Sequence, residues 1–337
     1  MEGEQSGVGG PCACQPSENN LVDVPELLAY LHDQYQSGEA LAQQLGISRA
    51  AVWKQVEALR MAGYPVQSQK GKGYRLIPGT PTPAALEAIR SGSFGAFYAY
   101  LGTTGSSQDV LKNWALDGAE EGSVVLVERQ EKGRGRRGRP WASEPGHSLT
   151  FSVLLRPQLP LSTLPWLALV AGLALCEACG VGRLKWPNDL LAATPGAGGE
   201  SLTYRKLAGV LLEAQVSGEE AAYVILGIGL NVNRAARKQL GAAYLDEFVV
   251  ASRVQVLAGF LERLEARYAQ LHHDLEGVLR DYKARCLTLG QQVRVSTPQG
   301  EIGGLAVDVA PDGSLLVEAS DRTHQVSAGD VQLVGVV

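Results

Sequence analysis

Apolar residues between positions 25 and 61 recur at spacings of three and four, the period of amphipathic helices. A first helix over 25–36 offers Leu27, Leu28 and Leu31 to a core, and a second over 39–45 offers Leu41 and Leu45. Gly46 makes the turn, and Ser48 is placed to cap a third helix running to about position 61. Val52, Val56 and Leu59 share one face of that third helix. Arg49, Ala50, Trp53 and Lys54 fall outside it, where a recognition helix carries its groove contacts. Residues 64–76 then read as a hairpin whose tip, Lys70-Gly71-Lys72, is basic and suited to touching phosphates. Together these predict a winged helix-turn-helix over 23–78 that binds DNA through Arg49, Trp53, Lys54, Lys70 and Lys72.

A Pro/Gly/Thr linker at 79–84 leads into a segment, 85–286, whose strands alternate with helical stretches, the pattern of an α+β domain on one mixed sheet. Ser123–Glu128 and Leu149–Leu155 read as strands, and the apolar run from Trp166 to Leu175 as a buried helix. Near its end, Val254, Leu257, Leu261, Leu264, Tyr268 and Leu271, then Leu275, Val278 and Tyr282, predict one long amphipathic helix or two broken near Gly277. His272 and His273 are adjacent on it, so they point apart and read as surface residues. From Leu289 onward short β runs alternate with turn residues, at 298–300 and 311–313 for example, which predicts a small SH3-like barrel over 287–337. The leader at 1–22 is rich in Gly, Pro, Ser and Asn and is expected to be disordered.

With 337 residues, 45% of them hydrophobic and 19% charged, the chain has material for two or three cored domains. A net charge of −5 argues against a surface that grips nucleic acid everywhere, so DNA contact is confined to one module. No apolar run is expected to reach the roughly 20 residues that span a bilayer. Residues 1–20 lack the pattern of a signal peptide, so no membrane contact and a cytoplasmic location are expected. Five cysteines, an odd number, do not suggest a disulfide framework. Cys176 and Cys179 form C-x-x-C inside the apolar run and read as core residues, since no second ligand pair stands nearby.

The chemistry concentrates at 133–139, Gly-Arg-Gly-Arg-Arg-Gly-Arg, where four cations alternate with a backbone free to approach a ligand. Such a loop is built for an anion. Its Gly133, Gly135 and Gly138 match the G-x-G-x-x-G spacing of dinucleotide sites, but Pro140 and a strand follow where that motif needs a helix. Taken alone, the loop also reads as a solvated arginine-rich segment or a nonspecific nucleic-acid tether. Three more segments place polar residues inside apolar sequence: 185–189 (Lys-Trp-Pro-Asn-Asp), 205–213 with Lys206 at the mouth of a strand, and 227–233 with Asn231 and Asn233 ending another. Each has a bland reading by itself, a solvated strand end or a turn. Their co-occurrence with the arginine loop points to a site.

These segments carry a resemblance. In order, Gly-Arg-Gly-Arg-Arg-Gly-Arg with Trp141 behind it, Lys-Trp-Pro-Asn-Asp, Lys-Leu-Ala-Gly at 206–209 and Gly-Ile-Gly-Leu-Asn at 227–231 resemble the biotin–protein ligases. The helix-turn-helix and the 70–74 wing are similar to the bifunctional type that is also the biotin operon repressor. The resemblance implies an enzyme that makes biotinoyl-AMP from biotin and ATP with Mg²⁺, then passes biotin to a lysine of a biotin carboxyl carrier domain. It further implies operator DNA as a partner and a ligand-promoted homodimer. Such chemistry joins two anions and expels a third, which suits arginines that stay charged and bind phosphate in bidentate fashion.

Residue by residue, the resemblance implies Ser106, Ser107 and Gln108 at the ureido ring, Gln130, Arg134, Gly135 and Arg136 around biotin, and Lys206 at its carboxylate. Lys206, Arg134 and Arg136 are the implied catalytic residues. Arg137, Arg139, Trp141, Lys185, Asn188 and Asn231 are implied for ATP, with Asn231 at adenine, and Asp189 for Mg²⁺. The chain departs from the family in having Ser-Ser-Gln at 106–108, where many relatives have Ser-Thr-Asn. Its loop at 192–204 is also longer and richer in glycine. Lipoate ligases are the nearest enzymatic alternative, and a regulator that only senses biotin is the non-enzymatic one.

Overall fold

The computed structural model of the protein describes residues 26–195, 202–234, 241–297, 300–320 and 322–334, so the leader at 1–22 lies outside the described residues. The winged module comprises α1 (Leu27–Tyr30), α2 (Gly38–Leu45), α3 (Arg49–Met61), β1 (Val66–Gln69) and β2 (Gly73–Leu76). Ser37 and Ser48 cap α2 and α3, their hydroxyls accepting from the amides of Ala40 at 3.0 Å and Ala51 at 3.1 Å. The first helix is far shorter than residues 25–36. At Leu31 the backbone turns extended (φ −84°, ψ 129°), and Gln36 exchanges two 2.9 Å backbone hydrogen bonds with Tyr74. Pairing with the wing thus satisfies backbone groups that the helix pattern assigned to another turn of helix.

Past α4 (Pro83–Glu87) come β3 (Tyr98–Thr104), α5 (Ser107–Leu116), β4 (Val124–Gln130), β5 (Ser148–Leu155) and α6 (Pro165–Cys179). Then follow β6 (Arg183–Lys185), β7 (Asp189–Pro195), β8 (Leu202–Ser217), β9 (Glu220–Asn231), α7 (Arg253–Leu271) and α8 (Leu275–Arg285). The seven strands form one mixed sheet in the order β3-β4-β5-β9-β8-β7-β6, parallel only between β3 and β4. The arginine loop joins β4 to β5, as expected. Alternation along β5 sends Phe151, Val153 and Leu155 into the main core, where Phe151 meets Phe260 of α7 edge-on at 5.2 Å. Leu154 turns to the opposite face and packs with Leu111 and Trp114 of α5.

Several expectations change. The glycine-rich loop placed at 192–204 is narrower, because β7 and β8 pair from Asp189↔Gly209 out to Pro195↔Leu202, and residues 196–201 lie outside the described ones. One helical stretch, Leu161–Cys179, is 19 residues long and apolar enough to cross a membrane by length and composition, contrary to expectation. Its α6 portion is buried on nearly all sides under the sheet, so it reads as the core helix of the domain. Cys176 and Cys179 are buried there as free thiols, and burial pushes the Cys179 thiol up to about 12. The break in the late helical pattern falls at 272–274. Asp274 caps α8 by accepting from the amide of Gly277 at 2.9 Å, and a Cβ on Gly277 would lie 2.1 Å from the Asp274 carboxylate, so that glycine marks the cap. His272 and His273 are exposed.

The last strands, β10 (Gln292–Thr297), β11 (Gly300–Val309), β12 (Leu315–Glu318), β13 (Thr323–Val326) and β14 (Asp330–Leu333), form an antiparallel sheet in the order β13-β12-β11-β10-β14. Among the described residues β13 and β14 do not pair, so this is an open sheet and not the closed barrel expected. Val295, Ala306, Val309 and Val317 belong to the same core cluster as buried residues of α6 and α8, so the apolar face of this sheet is continuous with the core of the ligase domain. The turn at 311–313 docks on the ligase domain, taking hydrogen bonds from the indoles of Trp166 (3.0 Å, to Pro311) and Trp186 (2.9 Å, to Gly313).

Candidate active site

A cavity of about 360 Å³ opens over the face of the large sheet opposite α6 and α7. Its floor is made by glycines. Strand register aligns Thr150, Gly229, Gly209 and Asp189 in one row across four strands, and Ser152, Gly227 and Leu211 in the next row but one. A Cβ on Gly229 would lie 2.2 Å from Trp141 Cε2, one on Gly227 2.8 Å from Gln108 Cδ, and one on Gly209 3.0 Å from Lys206 Nζ. The missing side chains are therefore what lets Trp141, Gln108 and Lys206 lie close against the sheet.

One end of the cavity is lined by neutral polar side chains, with Arg134 held beside it by Asp109 and Glu213. Gln130, ending β4, accepts from the Ser107 amide at 2.8 Å and its hydroxyl at 3.2 Å, and that hydroxyl is 2.8 Å from Ser152 Oγ. Gln108 donates to the Leu211 carbonyl at 3.4 Å. Ser106, Ser107 and Gln108 are all buried at the start of α5. Phe151, Val210 and Ile228 also line the cavity.

The other end is cationic. Lys206 Nζ is 2.7 Å from Asp189 Oδ1 and 5.6 Å from the Trp141 ring centroid. Asn188 donates to the Val210 carbonyl at 2.8 Å and accepts from Arg136 Nη1 at 3.1 Å. Burial holds the Arg136 guanidinium below its ordinary pKa, against the pull of Asp330 and Asp189. The arginine loop is itself a narrow hairpin, with Trp141 N–H to Gly133 at 2.9 Å and Gly135 N–H to Arg139 at 2.7 Å. Both Arg137 (φ 56°) and Gly138 (φ 71°) take the left-handed backbone at its tip. Arg134 is clamped by Asp109 at 2.7 Å and Glu213 at 3.0 Å. The Arg134 guanidinium holds the Asp109 carboxyl below its usual range, while Asp109 first and Glu213 second raise the arginine. Arg139 pairs with Asp330 of β14, tying the loop to the last sheet.

Most sequence candidates converge here: Ser106, Ser107, Gln108, Gln130, Arg134, Gly135, Arg136, Arg139, Trp141, Asn188, Asp189 and Lys206 all line the cavity. Three do not. Arg137 reaches the Ser296 carbonyl at 2.8 Å. Lys185 lines an adjoining cleft with Arg294, and burial lowers its pKa despite Asp189. Asn231 is buried at the end of β9, where its amide donates to the Lys206 carbonyl at 3.5 Å. Asp109, Glu213 and Asp330, the carboxylates that hold the arginines, were not foreseen. The glycine floor had a visible signal, since Gly227 and Gly229 stand two apart in a strand and so share a face. Among the described residues no cluster of three His, Cys, Asp or Glu side chains is arranged for a metal, and Asp189 is the carboxylate beside Lys206.

In the winged module, Arg49 and Trp53 of α3 and Lys70 and Lys72 of the wing line one groove, with Trp53 56% exposed. Lys54 is exposed next to Trp53 on α3. Lys72 and Arg75 sit over the Tyr35 ring at 5.9 and 4.4 Å, which braces the wing.

Comparison with known proteins agrees with this geometry. Residues 101–231 match the Biotin/lipoate A/B protein ligase family, residues 26–75 an HTH domain, and residues 288–334 the Biotin protein ligase C terminal domain. The chain is 30% identical over 333 residues to the bifunctional ligase/repressor BirA of Bacillus subtilis, covering 92% of this chain and 98% of that one. It is 37% identical over 248 residues to the biotin--[acetyl-CoA-carboxylase] ligase of Mycobacterium tuberculosis, covering 68% of this chain and 85% of that protein. The solved structure of biotin protein ligase from Aquifex aeolicus in complex with biotin and ATP superposes with a TM-score of 0.58 at 29% identity, over 71% of this chain and 98% of that one. With three domains matched in order and a full-length relative at 30% identity, the chain belongs to the biotin protein ligases, in their bifunctional ligase/repressor branch.

Proposed function

We propose that the cavity takes biotin at its Ser107–Gln130 end and ATP at its cationic end, and joins them. The observation that carries this reading is the meeting of Lys206, Arg136 and Arg139 over a glycine floor that also reaches a hydrogen-bonding end beside Arg134. Ser106, Ser107, Gln108 and Gln130 offer donors and acceptors suited to a ureido ring. A carboxylate oxygen of biotin attacks the α-phosphorus of ATP, the bond to the β-phosphate oxygen breaks, and pyrophosphate leaves with that electron pair. An acceptor-lysine amine on a carrier domain then attacks the acyl carbon, and AMP leaves. Lys206 exchanges its Asp189 partner for the carboxylate and α-phosphate, and Arg136 and Arg139 neutralise charge as it moves towards the leaving group. Trp141 supplies apolar cover, and the arginine loop closes over the intermediate to keep water out. Lys185, with Arg137, faces the outer phosphates, and Asn231 holds the Lys206 strand beside the base.

Mg²⁺ fits this donor set as a companion of the nucleotide, with Asp189 its single protein carboxylate and phosphates supplying further oxygens, the usual habit of that ion. It would supply charge neutralisation on the phosphates. The assay that tests the whole reading offers labelled biotin or labelled lipoate, each with ATP and a biotin carboxyl carrier domain. Biotin transfer with pyrophosphate release is expected. Lipoate transfer instead would point to the related ligases, and no pyrophosphate from either acid would leave a biotin sensor.

The winged module binds operator DNA through Arg49, Trp53 and Lys54 in the groove and Lys70 and Lys72 on phosphates, and the chain works in the cytoplasm beside both partners. Such readers occupy paired half-sites as dimers, so binding of the liganded full chain should be second order in protein. A non-cooperative isotherm would remove the pairing. Changing Lys70 and Lys72 together to alanine should weaken duplex binding across sequences and reduce the log–log salt slope by about 2, one for each phosphate that is no longer neutralised. An unchanged slope would take the wing off the backbone.

A further inference from the structure

Away from the cavity, one charge pair is wholly excluded from solvent. Arg253, first residue of α7, meets Glu128 of β4 at 2.8 Å with both side chains 0% exposed. Burial opposes the arginine's charge, and Glu128 with Tyr100 and Tyr98 more than restores it, leaving the guanidinium raised. The pair's remaining hydrogen bonds reach three other segments. Glu128 accepts from the Tyr100 hydroxyl of β3 and from the Gly146 amide, each at 2.7 Å. Gly146 lies on the return from the arginine loop. Arg253 donates to the Ser148 carbonyl at 3.2 Å, where β5 begins, and to the hydroxyl of Thr80 in the linker at 3.0 Å.

Three of these contacts, at Thr80, Gly146 and Tyr100, lead on to the winged module. The Thr80 hydroxyl donates to the Ile77 carbonyl at 2.6 Å, just past the wing. Ile77 packs so closely on Gly146 that a Cβ there would lie 2.3 Å from Ile77 Cδ1. Tyr64, which precedes the wing, donates from its hydroxyl to the Tyr100 carbonyl at 3.4 Å and meets that ring edge-on at 5.5 Å. On the other side, Glu128 is two residues from Gln130, and the neighbouring His147 carbonyl accepts from the amides of Val232 and Asn233 at the end of β9. The Gly146–Ser148 segment therefore touches the winged module, the buried pair and the end of a cavity strand at once.

We propose that Glu128 and Arg253 are positioning residues that set the return of the arginine loop, and that with Thr80 they form the joint through which occupancy of the cavity is felt in α3. This rests on the ligase reading above. A buried pair whose outward hydrogen bonds go to backbone or hydroxyl groups, with Arg253 Nε unpartnered among the described residues, has discrete arrangements, so movement of the loop return on ligand closure is passed to the linker, where a solvated bridge would absorb it.

The test uses the full chain and follows hydrogen exchange of the α3 amides with and without biotin plus ATP. In the native chain ligand should slow that exchange by about fivefold or more, the low end of ordinary coupling between sites. Thr80→Val removes the acceptor for Arg253 and should abolish the slowing while pyrophosphate release stays within about twofold of native, and Thr80→Ser, which keeps the hydroxyl, should restore it. If Thr80→Val does not fold, Glu128→Leu with Arg253→Met replaces charge by matched apolar volume and carries the same expectation, with kcat/KM for ligation about tenfold down because the loop return is released. A native-size response in Thr80→Val or in that apolar pair overturns the joint. So does ligand-independent exchange in a native chain that releases pyrophosphate. A native chain that releases none removes the ligase reading instead.

Discussion

Lys206→Ala lowers pyrophosphate release from biotin and ATP by about two to three orders of magnitude, the usual effect of deleting one preorganised donor from a transition state that gathers charge. The loss has two parts. The ammonium that would bridge the biotin carboxylate and the α-phosphate is gone. Its present partner, Asp189 at 2.7 Å, is left as a bare anion among anionic reactants. A quenched-flow or coupled pyrophosphate assay at saturating ATP reads the change, and a rate within about threefold of native would remove Lys206 from the chemistry. The same variant should keep its fold, because the Lys206 side chain is 39% exposed and closes no part of the core.

Arg253→Ala is expected to do the reverse, harming the fold before the chemistry. It strands the Glu128 carboxylate, 0% exposed, with only the Tyr100 hydroxyl and the Gly146 amide as partners. Breaking one side of a buried pair costs about 3–5 kcal/mol, which for a domain of this size lowers the melting temperature by about 6–20 °C. Differential scanning calorimetry measures it directly. A drop of less than about 2 °C would mean that water or a rearranged neighbour already compensates the carboxylate.

How much of this was legible depended on whether a residue's role is local. Ser48 capping α3, the basic turn at Lys70–Lys72 and the strands that flank the arginine loop follow from short-range periodicity and capping, and they stand as read. The first helix did not, because Gln36 pairs with Tyr74, a partner 38 positions away that no helical pattern reveals. The C-terminal strands were legible one by one. Whether they close on themselves depends on pairing between β13 and β14, a tertiary matter that no single strand's pattern reveals. Within the site, the motifs located most of the polar and charged lining residues. The carboxylates that restrain the arginines stayed hidden, since Asp109, Glu213 and Asp330 come from three elements and each looks like an ordinary surface acid in sequence.

The glycine floor limits how this enzyme can be retuned. Since the Trp141 indole rests directly on Gly229, with 2.2 Å between Cε2 and where a methyl would stand, even the smallest enlargement there evicts the aromatic lid. Variation that admits a longer or bulkier acid must therefore come from the walls, at α5 or the loops, leaving the bed of the sheet as a fixed datum against which every accepted acyl chain is measured.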